Sequence, residues 1–119
     1  MTHVSTAYVN SDKKGKIHEK VYPEKRDSEE IIAEIMAMTE DQTLRDEKKI
    51  IGDYPNTYTF SKAMVERTLE KLKGHLKLAI VRPAIVVSAH DEPLNGWTET
   101  ISAMGALLFA GMLGLINYM

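Results

Sequence analysis

Residues 56 to 83 constrain this chain more than any other stretch. N-T-Y-T-F-S-K-A-M-V-E-R-T-L-E-K-L-K, at 56 to 73, carries helical periodicity: Ala63, Met64, Leu69 and Leu72 can share much of one face. Asn56 or Thr57 is placed to cap its start and Gly74 to end it. Almost at once comes an apolar run at 76 to 82, closed by Pro83, the pattern of a short buried parallel strand. A helix feeding such a strand is the second half of a β-α-β unit, so an earlier strand must lie alongside. M-T-H-V-S-T-A-Y-V-N, at 1 to 10, is β-branched and aromatic and supplies it, ending near Ser5 or Thr6.

The segments between fill in a crossover. Residues 11 to 26 read as polar loop. Asp27 caps a short amphipathic helix with Glu29 and Glu30 in its first turn and Ile31, Ile32, Ile35 and Met36 at helical spacing. Residues 39 to 50 are charged and read as surface with one further helical turn, and 52 to 57 is turn chemistry. After Pro83, Ile85 to Val87 continue extended and H-D-E-P-L-N-G-W breaks into loop. Residues 101 to 119 carry no charge at all. Two regions are therefore expected, a folded α/β part at 1–100 and an apolar tail at 101–119.

Composition excludes several functions. The 119 residues are 44% hydrophobic and 27% charged, ordinary for one domain or part of one. A net charge of -2 gives no electrostatic basis for a nucleic-acid partner. The absence of cysteine removes disulfides, thiolate catalysis and cysteine metal sites. His3, His18, His75 and His90 show no metal-ligand spacing. No basic segment followed by an apolar stretch opens the chain, so no secretory signal is expected.

The candidate chemistry lies in Y-T-F-S-K. Four residues advance about 400° around a helix, which puts Tyr58 and Lys62 one turn apart on one face. A phenol titrates near pH 10 and is a poor proton donor or acceptor at neutral pH unless assisted. A neighbouring ammonium favours the phenolate and supplies that assistance. A hydroxyl at a strand end, Thr6 or Ser5 beside it, could hold a substrate oxygen. By itself the spacing is far more often an ordinary helix face than chemistry. The upstream hydroxyls and the downstream Arg82-Pro83 strand end raise its standing.

Four stretches together make the chain resemble the fatty acyl-CoA reductases, an extended branch of the short-chain dehydrogenase/reductase superfamily. They are H-V-S-T-A-Y-V-N (3 to 10), I-G-D-Y-P-N-T-Y-T-F-S-K-A-M-V-E (51 to 66), L-A-I-V-R-P-A-I-V (78 to 86) and E-P-L-N-G-W (92 to 97). The long separation of Thr6 from Tyr58 is similar to that family as well. The resemblance implies an α/β fold, part of a Rossmann-type NAD(P)-binding doubly wound parallel sheet. It implies that Thr6, Tyr58 and Lys62 are catalytic, with Tyr58 as general acid, Lys62 assisting it and bonding the nicotinamide ribose, and Thr6 orienting the carbonyl. Pro83, Ala84 and Ile85 would run their backbone along the nicotinamide. NADPH is the implied cofactor, long-chain acyl-CoA the substrate and a primary alcohol the product. An intracellular, membrane-associated location, at peroxisome or endoplasmic reticulum, is implied too.

The chain also departs from the family pattern. No glycine-rich turn stands between a strand and a helix to take the dinucleotide pyrophosphate; Gly105, Gly111 and Gly114 lie in the apolar tail. The resemblance therefore covers a middle piece of the reductase domain, without the N-terminal phosphate-binding half, and a fragment is expected. The tail at 101–119 suits either a helix packed on an acyl pocket or membrane association, at the lower length limit for a span. Two other readings stand beside the reductase: another extended short-chain dehydrogenase, or a non-catalytic product that binds a partner or membrane.

Overall fold

The computed structural model describes residues 1–24, 26–98 and 103–115. The chain forms two compact units, Met1–Pro83 and Ala84–Met119. In the first, the elements run β1 (Thr2–Val4), α1 (Ser28–Ala37), α2 (Glu40–Ile51), α3 (Thr57–Leu72) and β2 (Ala79–Val81). The class is α/β, with β1 and β2 forming a parallel pair in which Thr2, His3 and Val4 face Ala79, Ile80 and Val81.

Pairing runs further than the regular ladder. Ala79 donates its N–H to the Met1 carbonyl at 3.0 Å, Ser5 to Val81 at 2.7 Å and Ala7 to Pro83 at 2.8 Å. The two segments thus stay side by side from Met1 to Ala7, although each strand is only three residues long. Coverage differs from the expectation of a strand buried on both faces. His3 and Ile80 are partly covered, whereas Val4 (59% exposed) and Val81 lie open. The alternation shows that the helical layer of this unit covers one face of the pair.

The three helices meet in a small core of Val9, Ile31, Ile51, Tyr54, Phe60, Ala63 and Met64, with Ile35 and Ile50 packed against it. Each large apolar side chain buried there contributes about 1.5–3 kcal/mol. Tyr54 and Phe60 meet edge to face, with ring centroids 5.6 Å apart. In α1 the Asp27 carboxylate accepts the Glu29 N–H at 2.8 Å, as its position implied. Ile31 and Ile35 turn inward, while Ile32 and Met36 are exposed, so the inward stripe is narrower than the spacing suggested.

The charged stretch at 39 to 50 is a full 12-residue helix rather than a single turn. Its cause is local. Thr39 and Gln42 form a reciprocal capping box, and the acids Glu40 and Asp41 and the bases Lys48 and Lys49 sit at the ends that the helix dipole favours. Gly52, at φ 60°, ends it with its N–H on the Lys48 carbonyl.

In α3 the Asn56 side chain accepts the Thr59 N–H at 2.9 Å and so sets the start of the helix. The buried stripe is Thr59, Phe60, Ala63, Met64 and Glu66; Leu72 is 62% exposed and does not share it. Arg67 and Lys71 tie α3 to segments before α2. Arg67 donates to the Tyr22 carbonyl (3.0 Å) and the Tyr54 hydroxyl (2.7 Å), and Lys71 bonds both Asp27 and Glu29 at 2.8 Å.

In the second unit a loop closes where Ala89 donates to the Trp97 carbonyl (2.8 Å) and Gly96 to the Ala89 carbonyl (3.0 Å). It contains a cis Glu92–Pro93 peptide. Helix α4 (Ala103–Met112) occupies much of the uncharged tail; residues 101, 102 and 116–119 of that tail lie outside the described residues. Among the described residues, no helix is long and apolar enough to cross a membrane.

Candidate active site

The Asn56 cap places Tyr58 in the first turn of α3, where its side chain is 54% exposed. One turn later Lys62 reaches across to β1: its Nζ donates to the Val4 carbonyl at 3.2 Å, 58 residues away in sequence. The same ammonium stands 6.0 Å from the centroid of the Tyr58 ring. A cation is thus held between a half-open phenol and the carboxyl end of a strand.

Thr6 follows just beyond β1 and is 3% exposed. Its hydroxyl oxygen accepts the Tyr8 N–H at 3.3 Å, which orients the side chain and leaves the hydroxyl proton free to donate. Its neighbours are fixed by the sheet, Ser5 on the Val81 carbonyl and Ala7 on the Pro83 carbonyl. Thr6 and Pro83 therefore stand together at the carboxyl ends of the parallel strands, the end at which open α/β sheets bind ligands. Lys62 joins them through Val4. Ala84 and Ile85 open the second unit, with Ile85 exposed.

Beneath this edge lies a group that the sequence pattern did not single out. Glu66, one turn beyond Lys62, is 2% exposed and takes Arg82 in a two-pronged ion pair, Nε to Oε1 at 2.9 Å and Nη2 to Oε2 at 2.6 Å. Arg82 also donates to the Lys20 carbonyl at 3.0 Å. Burial by itself would push the Glu66 carboxyl up, but the Arg82 hydrogen bonds, the Ser5 hydroxyl and the charges of Arg82 and His3 outweigh it and hold it below its ordinary value. Ser5 lies close enough to favour that ionised form without the geometry of a well-formed hydrogen bond. One signal in the sequence could have found Glu66: it falls three residues after Ala63, on the inward stripe, where an acid needs a partner.

An open cleft of about 780 Å³ flanks β2, lined by Glu19, Lys20, Glu70, Ile80, Val81 and Arg82 among others. Thr6, Tyr58 and Lys62 do not line it, so its volume does not mark the chemistry. Among the described residues no cluster of His, Asp or Glu is placed to hold a metal ion. The donor set at the strand ends, an open phenol, an ammonium on a backbone carbonyl and a hydroxyl with a free proton, fits the nicotinamide and ribose end of a dinucleotide. A ribose hydroxyl can compete with the Val4 carbonyl for Lys62. Among the described residues no glycine-rich turn joins a strand to a helix, so none of them is arranged to take the pyrophosphate.

Comparison with known proteins identifies the family to which the chain belongs. The family model described as male sterility protein, an NAD-binding domain, matches residues 1–118. The chain is 39% identical over 118 residues to fatty acyl-CoA reductase 1 of Xenopus laevis, covering 98% of this chain and 22% of that protein. It is 35% identical over 117 residues to fatty acyl-CoA reductase 1 of Gallus gallus, at 98% and 22% coverage. With fatty acyl-CoA reductase 2 of Bos taurus it shares 36% over 117 residues, at 97% and 22% coverage. The chain thus spans about a fifth of the length of these relatives. No solved structure shows a significant match.

Proposed function

The chain belongs to the male sterility protein family of NAD-binding domains, where it stands beside the fatty acyl-CoA reductases, and we propose that it supplies the proton-transfer edge of an alcohol-forming fatty acyl-CoA reductase. The observation that carries the proposal is the Lys62 ammonium, held on the Val4 carbonyl beside the Tyr58 ring at the carboxyl ends of the sheet. Tyr58 protonates the substrate oxygen, Lys62 stabilises the phenolate left behind and bonds the nicotinamide ribose, and Thr6 donates its free proton to orient the carbonyl. Pro83, Ala84 and Ile85 offer backbone to the nicotinamide.

The bound nicotinamide, which we take to be NADPH, supplies hydride. The overall change is balanced in two steps. Acyl-CoA, NADPH and a proton give aldehyde, CoA and NADP⁺; aldehyde, a second NADPH and a proton give the primary alcohol and a second NADP⁺. The apolar composition of α4 supports a role against the acyl chain or a membrane surface, and on this reading the protein works at a peroxisomal or endoplasmic-reticulum membrane.

The test places residues 1–118 in the Xenopus laevis relative in exchange for its matching segment. In that chimaera Tyr58→Phe, which removes only the hydroxyl, lowers turnover about 100-fold or more while NADPH titration by fluorescence stays within about threefold. Lys62→Ala weakens both. Near-normal turnover in Tyr58→Phe overturns the assignment.

A further inference from the structure

We infer that the buried Glu66–Arg82 pair is a positioning clamp, which fixes α3 against the strand ends so that Lys62 and Thr6 keep their places. The inference rests on the site described above but makes a separate claim. Lys62 and Glu66 lie one turn apart on α3, and both reach the sheet, Lys62 at Val4 and Glu66 at Arg82. Val4 is paired with Val81, the neighbour of Arg82. The contacts Lys62–Val4, Val4–Val81 and Arg82–Glu66 therefore close a ring through one helix and two strands. A guanidinium fork on a carboxylate fixes direction as well as distance, so the helix cannot slide or rotate by one residue without breaking it. The ring also reaches the Thr6 position, because Ser5, its chain neighbour, donates its N–H to the carbonyl of Val81, next to Arg82.

Stability alone is a weak reason for such a pair. Two charges withdrawn from water recover little net free energy, and an apolar pair of similar volume often does as well; fixing register is the better-attested use. The position is consequential here, since a displacement of about 1 Å at a reacting group lowers turnover by about 100-fold.

The experiment uses the same chimaera with Glu66→Leu/Arg82→Met, which removes both charges and keeps the volume. Arg82→Lys serves as a second variant that keeps Glu66 paired but loses the fork. For both we expect a melting temperature close to the parent, turnover lowered about tenfold or more, and KM for acyl-CoA within about twofold. Amide exchange at Ser5 and Ala7, read by NMR or fragment mass spectrometry, should quicken about tenfold as the strand ends loosen. Parental turnover together with unchanged exchange in either folded variant overturns the clamp. If Tyr58→Phe keeps its activity, the catalytic assignment falls, and the exchange at Ser5 and Ala7 still decides the clamp. Should the double variant not fold, Arg82→Lys carries the decision.

Discussion

Replacing Arg67 by methionine should destabilise the first unit by about 3 kcal/mol. The side chain is 10% exposed and joins three segments: the Tyr22 carbonyl at 3.0 Å, the Tyr54 hydroxyl at 2.7 Å and the Glu24 carboxylate at 3.2 Å. Methionine keeps most of the volume but donates no hydrogen bond. A buried hydroxyl left unpaired costs about 1–3 kcal/mol and a hydrogen bond to a charged group contributes about 1.5–3 kcal/mol net, so losing the Tyr54 bond sets the scale of the loss. Tyr54, 3% exposed, has no water to turn to. At about 4–8 °C per kcal/mol for a unit of this size, the melt should shift by roughly 12–24 °C. The assay is circular dichroism of the 119-residue chain at low micromolar concentration, with Tyr54→Phe and the double variant completing a cycle. Tyr54→Phe alone should lose about 1 kcal/mol, and the double variant should lose about 1–2 kcal/mol less than the sum of the singles, because no orphaned hydroxyl remains. An Arg67→Met loss below about 1 kcal/mol, or a cycle that is simply additive, would refute the bridging role.

Two further outcomes follow from other contacts. Glu66 titrates below its ordinary value of 4.5 in the folded chain, so its contribution is complete above that pH and is lost as the pH falls through the lower folded value. Urea midpoints taken from about pH 6 to about pH 3 should therefore fall on the acid side, and Glu66→Leu/Arg82→Met should flatten that limb; an unchanged limb would contradict the ion pair. Asn56→Ala removes the side chain that accepts the Thr59 N–H and should cost α3 about 1 kcal/mol by urea denaturation, with faster amide exchange confined to its first turn around Tyr58. No change at that turn would mean the cap does not set the helix start.

What was legible in the sequence was mostly short in range. Asp27 and Asn56 announce two helix starts because a cap acts within three residues, and Pro83 announces the end of a strand because it lacks an N–H. The one-turn relation of Tyr58 to Lys62 needs nothing but helix geometry. The full length of α2 was legible by the same means, in the Thr39 and Gln42 capping box, and the high charge of the stretch obscured it. Other features depend on pieces of chain that are distant in sequence. Periodicity proposed Leu72 and Met36 as inward residues, but whether a stripe is buried depends on what packs against it, and both positions are exposed. The meeting of Thr6 with Pro83, the seat of Lys62 on Val4 and the burial of Glu66 against Arg82 all arise when β1 and β2 pair in parallel across the three-helix crossover. A buried acid becomes tolerable only once that pairing delivers its guanidinium, and for that physical reason the tertiary fold, and no local pattern, decided where the charges at this site lie.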